Sequence, residues 1–370
     1  MSFEIGDPAK LFTAKTTCAP ATRFDGFAGQ YVILFFFGSA KMESIKHFLN
    51  SLEARLGHHL NGENFMFLGV TIDPDDLGLE RIKVRSKGIH YVMDYDHKVS
   101  HLYQVLKTDI TEKTTKVGYR QGIFLLNPAL RIIDTMPFTT SDATMDALVG
   151  KVEQITNDRI NNIMSTHAPI LIIPGVFEKS LCKTLIDLFD ANGGYESGFM
   201  YEENGLTTLK KNAKIKRRKD YNLRSDINNI ALLGEINHRI NTRIVPEILK
   251  AFHFQVDYTE RHIVCCYDAN TGGYFLPHRD NLIKGTEHRR FAVTINLNAG
   301  EYEGGDLRFP EYGNATYRAP TGGAVIFSCS LLHEATPVIQ GKRYAFVPFL
   351  YEQAGEKVRL ENLKYVVNET

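Results

Sequence analysis

Two histidines and one aspartate are placed where they could hold a metal ion. His278 and Asp280 are separated by one residue, so on a β-strand both side chains would point to the same face. His333 comes much later, at the end of the apolar run 324–327. Two imidazoles and one carboxylate that meet on one face, with coordination positions left open, form the facial triad that suits non-heme Fe(II). Because a His-x-Asp pair alone is a weak indicator, the neighbouring residues must decide.

Arg343 follows His333 by ten residues and could bind a carboxylate near such a metal. Fully extended, this stretch would span about 33 Å, but Val338–Lys342 contains Gly341 and is typical of a hairpin turn. The turn is expected to fold Arg343 back beside the strand of His333. A guanidinium there could hold the far end of a diacid through two parallel hydrogen bonds. The alternative is an ordinary surface arginine, and the apolar run 344–347 argues against it.

The second half of the chain, roughly 169–352, resembles the iron- and 2-oxoglutarate-dependent dioxygenases of the prolyl-hydroxylase-like branch. The segments that carry the resemblance are Cys266–Asn281, Arg290–Asn298, Gly304–Phe309 and His333–Arg343. The resemblance implies that His278, Asp280 and His333 bind Fe(II) and, with Arg343, form the catalytic site. It also implies 2-oxoglutarate as cosubstrate, O₂, and ascorbate as a candidate reductant.

Three further residues are expected to contact the cosubstrate. By the same resemblance Arg343 binds the distal carboxylate of 2-oxoglutarate and Tyr267 lines that pocket; an ordinary buried tyrosine is the alternative for Tyr267. Thr294 and Asn296 lie on a strand with alternating inward positions and are expected to add polar contacts. Asn296 departs from the family pattern, since these relatives often carry there a tyrosine that touches 2-oxoglutarate.

Length, charge and cysteine content bound the class of protein. The 370 residues suggest two domains, and equal numbers of acidic and basic residues, 43 of each, argue against binding to nucleic acid or an acidic membrane surface. The five scattered cysteines are Cys18, Cys182, Cys265, Cys266 and Cys329, which is no disulfide framework and fits a reducing compartment. The N-terminus lacks a secretory pattern, and the apolar run 31–37 is too short to span a bilayer. We therefore expect a cytoplasmic protein.

Strand and helix patterns alternate in the first half. Buried strands are predicted at 31–37, 65–71 and 89–93, helices at 45–52, 76–84 and 99–106, and a hairpin at 122–136 that turns at Asn127–Pro128. A long helix is predicted at Asp142–Asn162. This order predicts an α/β sandwich around a central sheet.

The first half, about 3–155, resembles a thioredoxin-like fold of the peroxiredoxin type. The residues that support the resemblance are Ile5–Ala9 and Phe124–Pro128. Peroxiredoxins place a reactive cysteine after the first central strand, where a helix N-terminus lowers the thiol pKa. Here the stretch Gly38–Ile45 contains no cysteine, and Cys18 lies earlier, in a predicted loop. We therefore expect the fold without the peroxidase, serving as a recognition or assembly module through which copies of the chain could form a homo-oligomer.

The second half changes to short strands punctuated by paired glycines, which predicts a double-stranded β-helix, or jelly roll. Buttressing helices are predicted from Ser180 and over Ile227–Phe252, the latter interrupted at Pro246. The expected class is thus α/β plus mainly β. The predicted domains are 1–160, thioredoxin-like, and 165–370, the jelly-roll domain.

One strongly basic run, Lys210–Arg224, stands out in a chain without net charge. Relatives of this fold often place a mobile loop there, so one hypothesis is a lid that orders over the metal site and contacts an anionic substrate. A solvated surface loop is the alternative. Nucleic-acid binding is a weaker reading, because Tyr221 is the only aromatic residue in the run and base stacking needs several.

The sequence thus predicts a dioxygenase that hydroxylates a C–H bond of a prolyl residue, an amino acid or another small molecule, with release of succinate and CO₂. Two alternatives come from other classes. One is a peroxiredoxin-like redox protein acting through the first half, which the missing cysteine argues against. The other is an interaction module with a vestigial oxygenase site, which the presence of all three ligands and Arg343 argues against. The expected partners are a small-molecule or peptide substrate, with no nucleic acid and no membrane.

Overall fold

The computed structural model describes residues 3–83, 87–111, 114–161, 167–203 and 205–367, without the side chains of 107–117 and 158–161. The chain divides into two compact units, Met1–Thr166 with Pro310–Gly313, and His167–Phe309 with Asn314–Thr370. The second unit begins at His167. The sequence analysis placed the end of the first domain at 160 and the start of the second at 165.

The first unit is an α/β sandwich. Its strands are β1 Thr13–Ala14, β2 Thr22–Arg23, β3 Tyr31–Gly38, β4 Phe65–Thr71, β5 Ile89–Met93, β6 Leu106–Thr111, β7 Thr114–Tyr119, β8 Gly122–Leu126 and β9 Ile132–Pro137. Its helices are α1 Glu43–Leu56, α2 Asp75–Gly78, α3 Lys98–Leu102 and α4 Ser141–Asn161. The main sheet has the order β5-β4-β3-β8-β9, with β3, β4 and β5 parallel and β8 and β9 antiparallel.

The centre of this unit is β3, in which every residue from Val32 to Phe37 is buried. Side chains of β3 such as Phe35 pack with the apolar faces of α1 and α4 in one core. A strand that is buried on both faces needs a continuous apolar run, and this is why the sequence pattern identified β3 and β4 correctly.

Two predicted helices of the first unit are wrong in length. The helix expected over 76–84 is only the short α2, because the chain turns into the left-handed region at Glu80 (φ 52°); its expected end, Val84, lies outside the described residues. The helix expected over 99–106 ends at Leu102, since Gln104 is also left-handed (φ 55°) and Leu106 begins β6. Helix α4 agrees with the prediction up to Asn161, whereas Asn162 is not described.

The second unit consists of two β-sheets with helices. Its strands are β10 Leu171–Ile173, β11 Tyr195–Glu196, β12 Phe199–Glu203, β13 Leu206–Lys210, β14 Lys216–Arg217, β15 Lys219–Asn222, β16 Tyr258–Glu260, β17 Ile263–Asp268, β18 Tyr274–His278, β19 Phe291–Asn296, β20 Glu303–Gly304, β21 Leu307–Arg308, β22 Thr316–Tyr317, β23 Ala324–Ser328, β24 His333–Ala335, β25 Val338–Gln340, β26 Lys342–Phe346 and β27 Phe349–Tyr351. Its helices are α5 Lys179–Asn192, α6 Ile230–Arg243, α7 Val245–Phe252 and α8 Gln353–Asn362.

The larger sheet, here called the major sheet, has the order β10-β23-β19-β26-β17-β15-β11, with β27 joined to β16 and β19. The smaller one, the minor sheet, has the order β14-β18-β24-β21-β22. Helices α5, α6 and α7 supply buried side chains, among them Leu185, Ile240 and Ile248, that pack with residues of the major sheet in one core. The jelly roll with buttressing helices and the thioredoxin-like first unit confirm the predicted fold class.

Alternate residues of the major-sheet strands belong to different cores. In β17, Val264 and Cys266 pack in the core with the helices, whereas Cys265 and Tyr267 belong to a second core with Ala335 of the minor sheet. This alternation is the period-two pattern of a strand with apolar layers on both faces. It also confirms that Cys265 and Cys266 face opposite sides.

The basic run 210–224 is only partly a loop: residues 211–215 are irregular or turn, but two paired strands follow, which contradicts the lid hypothesis for 216–222. Strand β14 belongs to the minor sheet and strand β15 to the major sheet. Burial alternates along it: Lys216, Arg218 and Asp220 are buried, whereas Arg217 and Lys219 are exposed. Two cations of the run, Lys216 and Arg218, are therefore buried in the second unit.

In the described parts of the chain, no helix combines the length and the apolar composition that crossing a lipid bilayer requires.

Candidate metal centre and adjoining cleft

A cleft of about 580 Å³ opens between the major and minor sheets. The minor sheet lines it with His278, His333 and Phe275, and the major sheet with Tyr267 and Arg343. The residues predicted from the sequence to do chemistry thus meet in one cavity from two different sheets.

The structure brings His278, Asp280 and His333 together. The two histidines are cross-strand partners in β18 and β24, with ring centroids 4.3 Å apart. Asp280 lies just beyond the end of β18, where its backbone N–H donates to the carbonyl of Cys329 at 3.0 Å. The expectation that Asp280 shares a strand with His278 is therefore wrong, although the backbone bond to Cys329 still holds it beside both imidazoles.

Both imidazoles present the same nitrogen to Asp280. The Nδ1 of His278 is 2.7 Å from the carbonyl of Leu276, and the Nδ1 of His333 is 3.0 Å from that of Leu331. A carbonyl accepts, so each Nδ1 carries the proton and each Nε2 keeps a free lone pair. The Nε2 atoms lie 3.6 and 3.3 Å from the two carboxylate oxygens of Asp280.

These distances suit a single metal ion. One ligand atom from each of the three side chains lies within 4.8 Å of the others. Ligand atoms held about 2.1 Å from one ion lie roughly 3 Å apart when they subtend a right angle. Two imidazoles and one carboxylate are also the donor set of open Fe(II) sites. The donors therefore fit such an ion with little movement.

The electrostatics favour the metal-binding protonation states of His278 and Asp280. Burial, followed by the proximity of His333, lowers the pKa of His278 to about 3, so its imidazole is neutral at pH 7. Burial opposes ionisation of Asp280, but the neighbouring His333 and His278 outweigh it and lower the pKa of that carboxyl. A neutral imidazole and an ionised carboxylate are the forms in which these groups bind a metal.

Arg343 reaches the cleft by a different route from the one predicted. The chain does turn at Gly341 (φ 76°), but β25 pairs with β20, whereas β26 pairs with β17 and β19 of the major sheet. Arg343 therefore lies on the sheet opposite His333 and not beside its strand. It is only 3% exposed, and its Nε has no hydrogen-bond partner among the described residues. A buried guanidinium with a free N–H fits a carboxylate ligand.

The three other predicted contacts have different positions. Tyr267 is the cross-strand partner of Arg343 and lines the cleft, with its ring centroid 5.2 Å from the Arg343 guanidinium. Thr294 also lines the cleft. Asn296 instead accepts from Arg343 Nη2 at 3.4 Å and donates to the carbonyl of Ala319 at 2.8 Å. Its amide thus supports Arg343, and a direct contact of Asn296 with the cosubstrate stays a prediction.

The sequence analysis did not single out Phe275 and Arg261, which line the cleft, and it placed Lys216 and Arg218 in a loop. Phe275 stacks on His278 with ring centroids 3.5 Å apart, and Lys216, Arg218 and Arg261 add positive charge. The alternation of buried and exposed residues from Lys216 to Asp220 is the signal of a strand, but a run of basic residues conceals it because buried cations are rare.

The first unit presents no activated thiol at the corresponding place. Helix α1 begins at Glu43 without a cysteine near its start, and the exposed Cys18 precedes β3. Although Cys18 as a residue is exposed, its sulfur is partly withdrawn from water. This partial burial raises the pKa of the thiol, which keeps it protonated and weakly nucleophilic.

Comparison with known families gives one match for each unit. Residues 262–351 match the sequence model of the 2OG-Fe(II) oxygenase superfamily, and residues 5–134 match that of the AhpC/TSA family. The first range contains the metal triad and Arg343. These matches confirm the predicted arrangement, an AhpC/TSA-type segment followed by an oxygenase segment, and the oxygenase family takes its name from the two predicted cofactors.

Two hydroxylases of known sequence match part of this chain. A PKHD-type hydroxylase of Synechococcus sp. (strain JA-2-3B'a(2-13)) is 31% identical over 94 residues, which cover 24% of this chain and 41% of the relative. A PKHD-type hydroxylase of Cupriavidus metallidurans is 30% identical over 110 residues, which cover 26% of this chain and 48% of the relative. The aligned part is thus less than half of either relative.

Two solved structures resemble parts of this chain at low sequence identity. Peroxiredoxin Q of Xanthomonas campestris is 15% identical and covers 39% of this chain and 90% of its own, with a TM-score of 0.32. A prolyl hydroxylase from Trichoplax adhaerens, in complex with a hypoxia inducible factor peptide fragment, is 18% identical and covers 58% of this chain and 96% of its own, with a TM-score of 0.39.

Proposed function

We propose that this chain is an iron(II)- and 2-oxoglutarate-dependent dioxygenase that hydroxylates a C–H bond of a prolyl residue, an amino acid or another small molecule. The observation that carries the proposal is the placement of His278, Asp280 and His333, whose free donor atoms converge in a cleft with the buried Arg343 on the opposite sheet. The match to hydroxylase relatives over this segment supports the reaction type.

Each residue has a physical task in this proposal. His278, Asp280 and His333 would hold the metal from one side and leave its other positions to cosubstrate and O₂. Arg343, fixed by Asn296 and the ring of Tyr267, would bind the distal carboxylate of 2-oxoglutarate. When bound, iron and 2-oxoglutarate supply O₂ activation, with one oxygen atom going to the substrate and the other to succinate as CO₂ leaves.

The walls of the cleft would limit water. Phe327 packs against the ring of His333 with centroids 4.5 Å apart, and Phe275 covers one face of His278. These rings fix the orientation of the imidazoles and replace solvent around them. Burial of Arg343 strengthens its attraction to a carboxylate.

The test of this function is cosubstrate turnover by the full-length chain. Protein supplied with Fe(II), 2-oxoglutarate and O₂ is expected to release succinate and CO₂ slowly without a substrate and faster when the correct substrate is added. A mass-spectrometric screen of amino acids and prolyl peptides for products that gain one oxygen atom would identify it. Failure to form succinate with stoichiometric iron bound would contradict the proposal.

The first unit would serve as a recognition or assembly module, including assembly of copies of this chain. The absence of cysteine from 38–45 and the raised pKa of Cys18 support a role without thiol chemistry. The five free cysteines support a reducing location such as the cytoplasm.

Replacing Cys18 with serine tests the role of the first unit. We expect Cys18→Ser to leave both succinate formation and the slow background consumption of hydrogen peroxide unchanged, because a protonated thiol is a poor nucleophile. Peroxide loss followed by absorbance is the measurement. A peroxide rate that exceeds the background in the parent and drops in Cys18→Ser would instead favour the peroxiredoxin-like alternative.

A further inference from the structure

The cleft contains a second group of cations besides Arg343. Lys216, Arg218 and Arg261 line it together and are here called the cation cluster. Lys216 and Arg218 are 5% and 9% exposed, so both are withdrawn from water. Burial of a charged group costs free energy unless an opposite charge compensates it, and the partners of the cluster therefore matter.

Among the described residues one carboxylate, that of Asp220, forms ion pairs with these cations, while Glu260 and Asp280 attract Arg261 from a greater distance. Asp220 lies 2.7 Å from Arg218 Nε and 3.6 Å from Arg261 Nη2. Lys216 has no carboxylate partner among the described residues; its Nζ donates to the carbonyl of Gly198 at 2.7 Å and lies 4.7 Å from the Phe275 ring centroid. The cluster is thus incompletely neutralised.

The charged form of Lys216 is destabilised in this cluster. Burial, followed by repulsion from Arg218, lowers the pKa of Lys216 well below its ordinary value. An anion bound beside the ammonium group would offset both effects and favour the charged form. The fold therefore maintains a cationic wall that an anionic ligand would stabilise.

This wall is separate from the proposed cosubstrate anchor. In the major sheet β17 lies between β15 and β26, and Tyr267 of β17 stands between the two arginines, its ring centroid 5.2 Å from Arg343 and 5.7 Å from Arg218. Its hydroxyl accepts from Arg218 Nη1 at 3.4 Å. A cosubstrate with one distal carboxylate needs one anchor, so the cation cluster remains for another anion.

The cluster also adjoins the metal triad. Lys216 is the cross-strand partner of Phe275, and the Phe275 ring stacks on His278. An anion held by Lys216 would therefore lie close to the side of the metal site where a substrate must present its C–H bond.

We propose that Lys216, Arg218 and Arg261 bind a carboxylate of the primary substrate, so that the molecule hydroxylated is a carboxylic acid. This inference rests on the proposed function and specifies its substrate class. Asp220 compensates one of the three cations, so positive charge remains for a carboxylate of the substrate. The planar guanidinium groups can bind a carboxylate through two hydrogen bonds.

Binding of matched acids and amides tests the inference. The iron-loaded enzyme, saturated with 2-oxoglutarate under nitrogen, would be titrated calorimetrically with the common amino acids, including L-proline, and with their carboxamides. Peptides with an amidated C-terminus and one acidic side chain are titrated separately. Their binding shows whether the cluster accepts a side-chain carboxylate of a peptide or only the carboxylate of a free amino acid. At least one acid is expected to bind at least about tenfold more tightly than its amide.

Two variants test whether the cation cluster causes the preference for an acid over its amide. Lys216→Met keeps the length of the side chain without its charge, and Arg261→Gln changes a partly exposed member if Lys216→Met does not fold. Both are expected to bind the acid and the amide equally. Arg217→Gln is the matched control, because Arg217 is exposed and does not line the cleft; it should keep the preference.

The outcomes separate this inference from the proposed function. Equal binding of every acid and its amide by the parent enzyme would overturn it, as would a preference that survives in both variants. Absence of succinate formation in the parent would instead contradict the dioxygenase assignment, and the cluster would lose its role with it.

Discussion

Asp280→Ala is expected to abolish Fe(II) binding and cosubstrate turnover. Asp280 contributes the only negative charge to the triad, and its loss would leave two neutral imidazoles to hold a divalent cation. Replacing a residue that merely supports a ligand costs about 10–100-fold in metal affinity, so loss of a ligand should cost at least about 100-fold. Iron content after anaerobic gel filtration and the rate of succinate formation measure the effect.

The fold should survive this change. The Asp280 backbone N–H, and not its side chain, makes the bond to Cys329, and no apolar core depends on the carboxylate. His278→Ala removes a different ligand and should give the same result. His238→Ala, at an exposed position of α6, is the control and should behave as the parent does. If Asp280→Ala and His278→Ala both retain stoichiometric iron and normal succinate formation, the assignment of the metal ligands is wrong.

Arg343→Leu is expected to weaken 2-oxoglutarate binding by roughly two to three orders of magnitude while iron binding is kept. Removing one partner of a buried charge pair costs about 3–5 kcal/mol. The triad does not contact this side chain through any described hydrogen bond, so the metal should remain. The apparent Michaelis constant for 2-oxoglutarate in uncoupled turnover, together with iron content, measures the two effects separately.

The neighbouring lysine provides the matched control for Arg343. Lys342 is exposed and lies 4.0 Å from Asp268, outside the cleft. Lys342→Gln should therefore leave the Michaelis constant unchanged. If Arg343→Leu leaves the Michaelis constant for 2-oxoglutarate unchanged and Lys342→Gln raises it, then Lys342 binds the distal carboxylate and Arg343 does not.

The sequence alone determined the elements that depend on local patterns. Continuous apolar runs identified β3 and β4, because a strand buried on both faces needs such a run. The order of the motif from Cys266 to Arg343 determined the oxygenase segment, because a binding site must keep its donor types and their order along the chain. The missing cysteine at 38–45 likewise needed no structure, since thiol chemistry requires the atom itself.

Only the tertiary structure decided which face and which sheet each residue occupies. Arg343 was expected beside the strand of His333, yet it belongs to the opposite sheet, because strand pairing is set by long-range hydrogen bonds that spacing does not encode. For the same reason Asn296 supports Arg343 and does not line the cleft. The basic run 210–224 had the composition of a solvated loop, but pairing of β14 with β18 and of β15 with β17 turns Lys216 and Arg218 inward. A charged side chain is normally exposed because its burial costs free energy. Partners on neighbouring strands can offset that cost, and which strands are neighbours is known only from the fold.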